Sequence, residues 1–281
     1  MNIHSICVCG AGTMGSGIAQ AAAQAGFSTL LYELNPVVLD RARNSIGMNL
    51  QSLADKGKIT ADQQQKILQS IRFTRDIQSC IADVLIEAIV EKLDIKIALF
   101  NQLAEINHRE AIFASNTSSL AVSAIAERVM NPQRVIGMHF FNPATIMKLV
   151  EVVNTTYTDK QTTTTILELA KQMGKTPVIC RDSPGFIVNR VARPFYIESL
   201  RLAEEGLVDI GTADRVLEAS GFRMGPFKLM DLIGNDINYA VSCSVYEQMN
   251  YPERLKPSYI QEQHVKEGKL GRKSGEGYYK Y

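Results

Sequence analysis

The chain has 281 residues, 46% of them hydrophobic, with 30 Lys and Arg against 29 Asp and Glu. That is enough apolar material for one large core or two ordinary ones. A formal net charge of +1 excludes a bulk electrostatic attraction to nucleic acid or to an anionic membrane, and neither is expected as a partner.

The chain opens directly into an apolar strand pattern. No cleavable leader is expected, no apolar run approaches the ~18 residues of a membrane span, and the expected location is cytoplasmic. That strand runs into VCGAGTMGSG, residues 8–17, and then into an Ala-rich helical pattern. Strand, glycine turn and helix in this order form a dinucleotide-binding fingerprint. Gly10 allows the tight turn and Gly12 a close backbone approach to a pyrophosphate, while Gly15 lets the helix pack on the sheet. With Ala11, Thr13 and Met14 these residues make the expected phosphate loop, at a helix N-terminus whose amides and dipole favour anions. A second apolar run, 29–32, delivers Glu33, a carboxylate suited to ribose hydroxyls and repellent to a 2′-phosphate. Leu34, Asn35 and Pro36 offer no arginine, so NAD is expected over NADP, with Arg41 and Arg43 the nearest cations in sequence.

Strand-length apolar runs at 5–9, 29–32, 84–87, 112–115 and 135–137 alternate with helix-length segments. This is the pattern of an α/β, Rossmann-like doubly wound and mainly parallel sheet. An insertion at about 36–69 reads as two helices, with a capping box at Thr60 and Gln63. Further strands at 148–153 and 176–180 flank a helix at 159–173. After Ser183, Pro184 and Gly185, read as a cap and helix start, the pattern is helical: 186–205, 210–219, 231–249 and 257–267. The expected organisation is a nucleotide domain, 1–183, and an all-helical domain, 184–281. The five cysteines, Cys7, Cys9, Cys80, Cys180 and Cys243, lack metal-type spacing. They read as reduced thiols in a reducing compartment, and no metal site is expected.

His139 ends an apolar strand on the edge where open parallel sheets bind ligands. Glu151, inside the apolar run 149–153, needs a polar partner, because an unpaired buried carboxylate is costly. If their strands adjoin, Glu151 fixes the imidazole tautomer and His139 becomes a general base. A salt bridge from Glu151 to Lys148, or an edge-strand charge, is the alternative. Asn116 and Ser118, in ASNTSSL at 114–120, read either as turn and cap residues or as cleft-lining groups. Asn189 in PGFIVNR offers an amide toward a developing oxyanion.

Taken together, these segments resemble one family along nearly the whole chain. GAGTMG at 10–15, EAIVEKLDIK at 87–96, SNTSSL at 115–120, HFFNP at 139–143 and KLVEVV at 148–153 are similar to the L-3-hydroxyacyl-CoA dehydrogenases, especially the stand-alone bacterial 3-hydroxybutyryl-CoA type. DSPGFIVNR at 182–190, GPFKLMDLIG at 225–234 and GRKSGEGYYKY at 271–281 extend the resemblance. It implies reversible NAD-linked oxidation of a 3-hydroxyacyl-CoA, with His139 as base, Glu151 as its partner, and Ser118 and Asn189 on substrate oxygens. It implies cofactor contacts at Glu91, Lys96, Ser118, Asn142 and Lys273, and CoA contacts at Lys56, with Asn49 where relatives carry serine. Glu33 stands where aspartate is frequent. A homodimer through the helical domain is also implied. A dehydrogenase of free hydroxy acids and a non-catalytic NAD-binding protein are the alternatives on the same fold.

Overall fold

The computed structural model describes residues 2–281. The chain divides into two compact units, Met1–Asp182 and Ser183–Tyr281.

In the first unit β1 (Ser5–Cys9), α1 (Thr13–Gln24) and β2 (Ser28–Tyr32) form the leading β-α-β unit. The insertion holds α2 (Pro36–Asp55) and α3 (Ala61–Gln69). Asn35 caps α2 by accepting from the Val37 amide, and Thr60 and Gln63 close the expected capping box on α3. β3 (Ile71–Thr74), absent from the sequence reading, returns the chain to the sheet beside β2. There follow β4 (Val84–Glu87), α4 (Leu93–Ile106), β5 (Ile112–Ser115), the short α5 (Val122–Ala126) and β6 (Val135–Phe140). β7 (Leu149–Asn154), α6 (Lys160–Gln172) and β8 (Thr176–Arg181) complete the unit.

The eight strands lie in the order β3-β2-β1-β4-β5-β6-β7-β8, and every neighbouring pair is parallel except β6 with β7. Central strands are buried throughout, as expected for a sheet covered on both faces. Ile6, Val8, Ile86, Ala114, Ile136 and Val150 belong to its main core.

The second unit holds α7 (Val188–Glu204), α8 (Ile210–Ala219), α9 (Pro226–Ile233), α10 (Asn235–Gln248) and α11 (Tyr259–Lys266). Two expectations need correction here. Ser183 does not cap α7: its carbonyl accepts from the Phe186 amide in a separate turn, and the helix begins at Val188. The segment read as one helix over 231–249 is two, because Gly234 at φ 105° breaks it. The unit packs around Tyr196, Leu200, Phe227 and Met230. Buried Asp231 accepts from the Tyr278 and Tyr279 amides and ties the C-terminal segment to α9.

Candidate active site

The turn after β1 carries the phosphate loop. Gly10 has φ 100°, and a Cβ on Gly15 would lie 1.7 Å from the Gly10 carbonyl oxygen, so both glycines follow from the chain's own geometry. Gly12 does not: a Cβ there would meet nothing within 4 Å. Nor does any side chain cap α1 at Gly12 by a hydrogen bond. Amides without a cap beneath a clear approach fit a dinucleotide pyrophosphate. Glu33, at the carboxyl end of β2, accepts from the Ala11 amide at 3.1 Å and from the Asn35 amide at 3.0 Å. One lone pair on each carboxylate oxygen is so used, and acceptor capacity remains for ribose hydroxyls.

The cations near Glu33 differ from the sequence reading. Arg43 lies over the Phe73 ring and within 3.7 Å of Asp40. Arg41 lines a groove of about 300 Å³ between α1 and α2. Arg75, just past the unforeseen β3, reaches the Leu34 carbonyl at 3.3 Å.

The antiparallel pairing of β6 and β7 sets His139 directly opposite Glu151. Their side chains meet at 2.7 Å, Nδ1 to Oε2, and both are buried. A carboxylate accepts, so this contact uses Nδ1 as the donor and leaves Nε2 on the far side of the ring from Glu151. Ser118 Oγ stands 3.2 Å from Nε2, and the Phe141 ring packs against the imidazole at 4.6 Å between centroids. Glu151 therefore partners His139. Asn116 is buried, and its Oδ1 accepts from the Phe140 amide at 2.9 Å, fixing the end of β6.

Lys96 is buried, although it was read as a cofactor contact. Its ammonium donates to both oxygens of buried Glu87, at 2.8 and 2.6 Å, and stands 3.1 Å from Glu91 Oε2. The Oε1 atom of Glu91 gathers the 117–119 loop. It accepts from the Ser118 and Ser119 amides, each at 3.2 Å, from Ser119 Oγ at 2.7 Å, and from Thr117 Oγ. Burial works to raise the Glu91 pKa, but Lys96 and the Thr117 and Ser119 hydroxyls outweigh it and hold the carboxyl below the usual glutamate value. Sequence reasoning missed Glu87. The signal was the one that found Glu151, a carboxylate in an apolar strand that must find a partner.

Asn142 precedes Pro143 across a cis peptide bond and lines the α1–α2 groove together with Asn49, Gly12 and Thr13. Asn49 Nδ2 donates to Gln20 Oε1 at 3.4 Å. Lys56 is exposed at the C-terminal end of α2. Asn189 lies in the second unit on the first turn of α7, where its carbonyl accepts from Arg193 Nε. Lys273, also in the second unit, pairs with Asp236 at 2.6 and 2.7 Å. Among the described residues there is no cluster of metal-ligating side chains, and no helix is long and apolar enough to cross a membrane.

Comparison with known proteins places this geometry. Residues 5–183 match the family model of the 3-hydroxyacyl-CoA dehydrogenase NAD binding domain, and residues 185–281 match that of the C-terminal domain. The chain is 44% identical to 3-hydroxyadipyl-CoA dehydrogenase of Escherichia coli over 99% of its own length, and spans 59% of that relative. It is 41% identical to a probable 3-hydroxybutyryl-CoA dehydrogenase of Deinococcus radiodurans, with 98% of this chain and 99% of the relative covered. The crystal structure of (S)-3-hydroxybutyryl-CoA dehydrogenase from Ralstonia eutropha superposes with a TM-score of 0.95 at 33% identity, over 100% of this chain and 99% of that one. The chain belongs to the 3-hydroxyacyl-CoA dehydrogenase family, oxidoreductases with NAD as cofactor.

Proposed function

We propose that the protein oxidises an L-3-hydroxyacyl-CoA reversibly to the 3-ketoacyl-CoA, and that the acyl group is short, 3-hydroxybutyryl in the first place. The observation that carries this reading is the run of contacts Ser118, His139, Glu151 at the carboxyl end of β6. The names of the relatives support the CoA thioester over a free hydroxy acid.

His139 accepts the proton of the C3 hydroxyl on Nε2, and the C3–O bond becomes a carbonyl as the C3–H electron pair departs. NAD, when bound, supplies the acceptor for that hydride. Glu151 keeps the proton on Nδ1 and stabilises the imidazolium once Nε2 is protonated. Ser118 and Asn189 hold the substrate's oxygens. The phosphate loop Gly10 to Gly15 and Glu33 would hold the dinucleotide, with Glu91, Asn142 and Lys273 completing its surroundings. Lys56 and Asn49 lie toward CoA, and the helical unit makes a homodimer. Burial of the pair keeps water away from the charge that develops on the ring.

The test is NADH formation from L-3-hydroxybutyryl-CoA, from the 3-hydroxyadipyl thioester and from free 3-hydroxybutyrate. Turnover of the thioesters with little or none of the free acid is expected. Preference for the free acid would reject the CoA reading, and silence with all three would favour a non-catalytic NAD-binding protein.

A further inference from the structure

We propose that Glu87 is a positioning residue: through Lys96 and Glu91 it fixes the 117–119 loop, and so the approach of Ser118 to His139. The inference rests on the reading of His139 as proton acceptor.

Glu87 ends β4 and is fully buried, after three apolar residues, Val84, Leu85 and Ile86. Its carboxylate accepts twice from Lys96 Nζ, once from the Ile89 amide at 3.2 Å, and once from Ser115 Oγ on the next strand. It is thereby held by two strands and a helix, and it holds the ammonium in turn. A buried ion pair adds little to stability over an apolar pair of the same shape, so stability is a weak reason for one here. What the pair achieves is placement. One ammonium stands between two carboxylates, and the second, Glu91, divides its oxygens between tasks. Oε2 faces Lys96 from 3.1 Å, while Oε1 collects the two amides and two hydroxyls of the loop. The Ser118 hydroxyl at the end of this chain stands 3.2 Å from His139 Nε2. With Glu87 neutral, the buried ammonium has one anionic partner instead of two. Glu91 is then drawn inward and gives up loop amides.

The experiment compares wild type, Glu87→Gln, and Glu87→Gln combined with Lys96→Met. It uses amide hydrogen exchange of residues 117–119 in the free protein, thermal melting, and steady-state kinetics. Glu87→Gln is expected to speed exchange at the Ser118 and Ser119 amides. It should lower kcat about 10-fold or more with KM for the hydroxyacyl-CoA within about threefold, since a small misplacement near the reacting atoms costs rate more than binding. The double variant removes both charges of the pair. It should recover the melting temperature while exchange stays fast and kcat low, and it decides the matter if the single variant does not fold. Unchanged exchange at Ser118 and Ser119, or kcat recovering together with stability in the double variant, would overturn the proposal. Should the wild type turn over no hydroxyacyl-CoA, the functional reading fails, while hydrogen exchange still tests the relay.

Discussion

Across the one antiparallel junction of the sheet, His139 and Glu151 are direct cross-strand partners, joined Nδ1 to Oε2 at 2.7 Å. The register alone produces the pair: a slip of one residue would turn one of the two side chains to the opposite face of the sheet. Replacing His139 by Gln should lower kcat about 10²–10⁴-fold, the usual worth of a positioned base, with NAD affinity kept. Glu151→Gln should also lose at least about 10-fold, because an amide can donate to Nδ1 and select the tautomer whose Nε2 bears the proton. NAD titration followed by fluorescence, run beside steady-state kinetics, separates the two effects. Unchanged kcat in His139→Gln would reject the base assignment.

The choice between NAD and NADP should turn on Glu33 and Arg75. β2 pairs with β3 in a register that sets Tyr32 beside Thr74, which brings Arg75 to the strand edge that carries Glu33. Its guanidinium is held against the Leu34 carbonyl. Glu33→Ala removes the charge that repels a 2′-phosphate and leaves a cation within the same edge. The ratio of kcat/KM for NADP to that for NAD should rise by about 10-fold or more, the gain expected when a repulsion of about 1.4 kcal/mol or more is removed. Adding Arg75→Ala should take back most of that gain. A ratio that ignores Arg75 would mean that another cation, Arg41 among them, sets the preference.

What the sequence disclosed and what it withheld divide along physical lines. The glycine loop, Glu33 and the His139 strand were legible because each is local: a turn needing positive φ, an apolar run, a polar residue at its end. β3 was not, because Ile-Arg-Phe-Thr is short, half-exposed and interrupted by a cation, and only its pairing with β2 makes it a strand. Missing β3 also hid Arg75. Lys96 entered only as a cofactor contact that the resemblance implies, and its burial on Glu87 stayed hidden, since nothing at helical spacing reveals that Glu87 lies beneath it. The contact of Asn116 with the Phe140 amide was hidden for a similar reason: a turn residue and a strand-end clamp look alike until the neighbouring strand is placed.

Lys175 clamps the turn that follows the cis peptide. Its ammonium donates to the Ala144 and Met147 carbonyls at 2.5 and 3.0 Å, and Ala144 lines the groove beside α1. Lys175→Met keeps much of the aliphatic stem and removes both donors. The expected loss is about 1.5–3 kcal/mol in denaturant-induced unfolding, the range for hydrogen bonds to a charged group. Because Asn142 and Pro143 sit on the same turn, weaker NAD or CoA binding should accompany it, and Lys175→Arg should restore part of both. A loss of stability with binding untouched would confine Lys175 to a structural role.

Glu91 gives the site a dependence on acid pH whose direction follows from its environment. Lys96 and the loop hydroxyls outweigh burial and hold its folded carboxyl below the ordinary value, so the folded state binds fewer protons than the unfolded chain near that pH. The stabilisation is therefore complete above the unfolded value of about 4.3 and is lost as pH falls through the lower, folded one. Glu91→Gln removes the titration but keeps the shape. At neutral pH the variant should be less stable than wild type, and the gap should narrow steadily below about pH 5. Exchange at the Ser118 and Ser119 amides, whose acceptor is Glu91 Oε1, should be faster in the variant by a factor that shrinks over the same range. Urea unfolding of both proteins from pH 7 to pH 3 measures the first effect. A gap that stays constant to pH 3 would show that the 117–119 loop does not depend on the charge of Glu91.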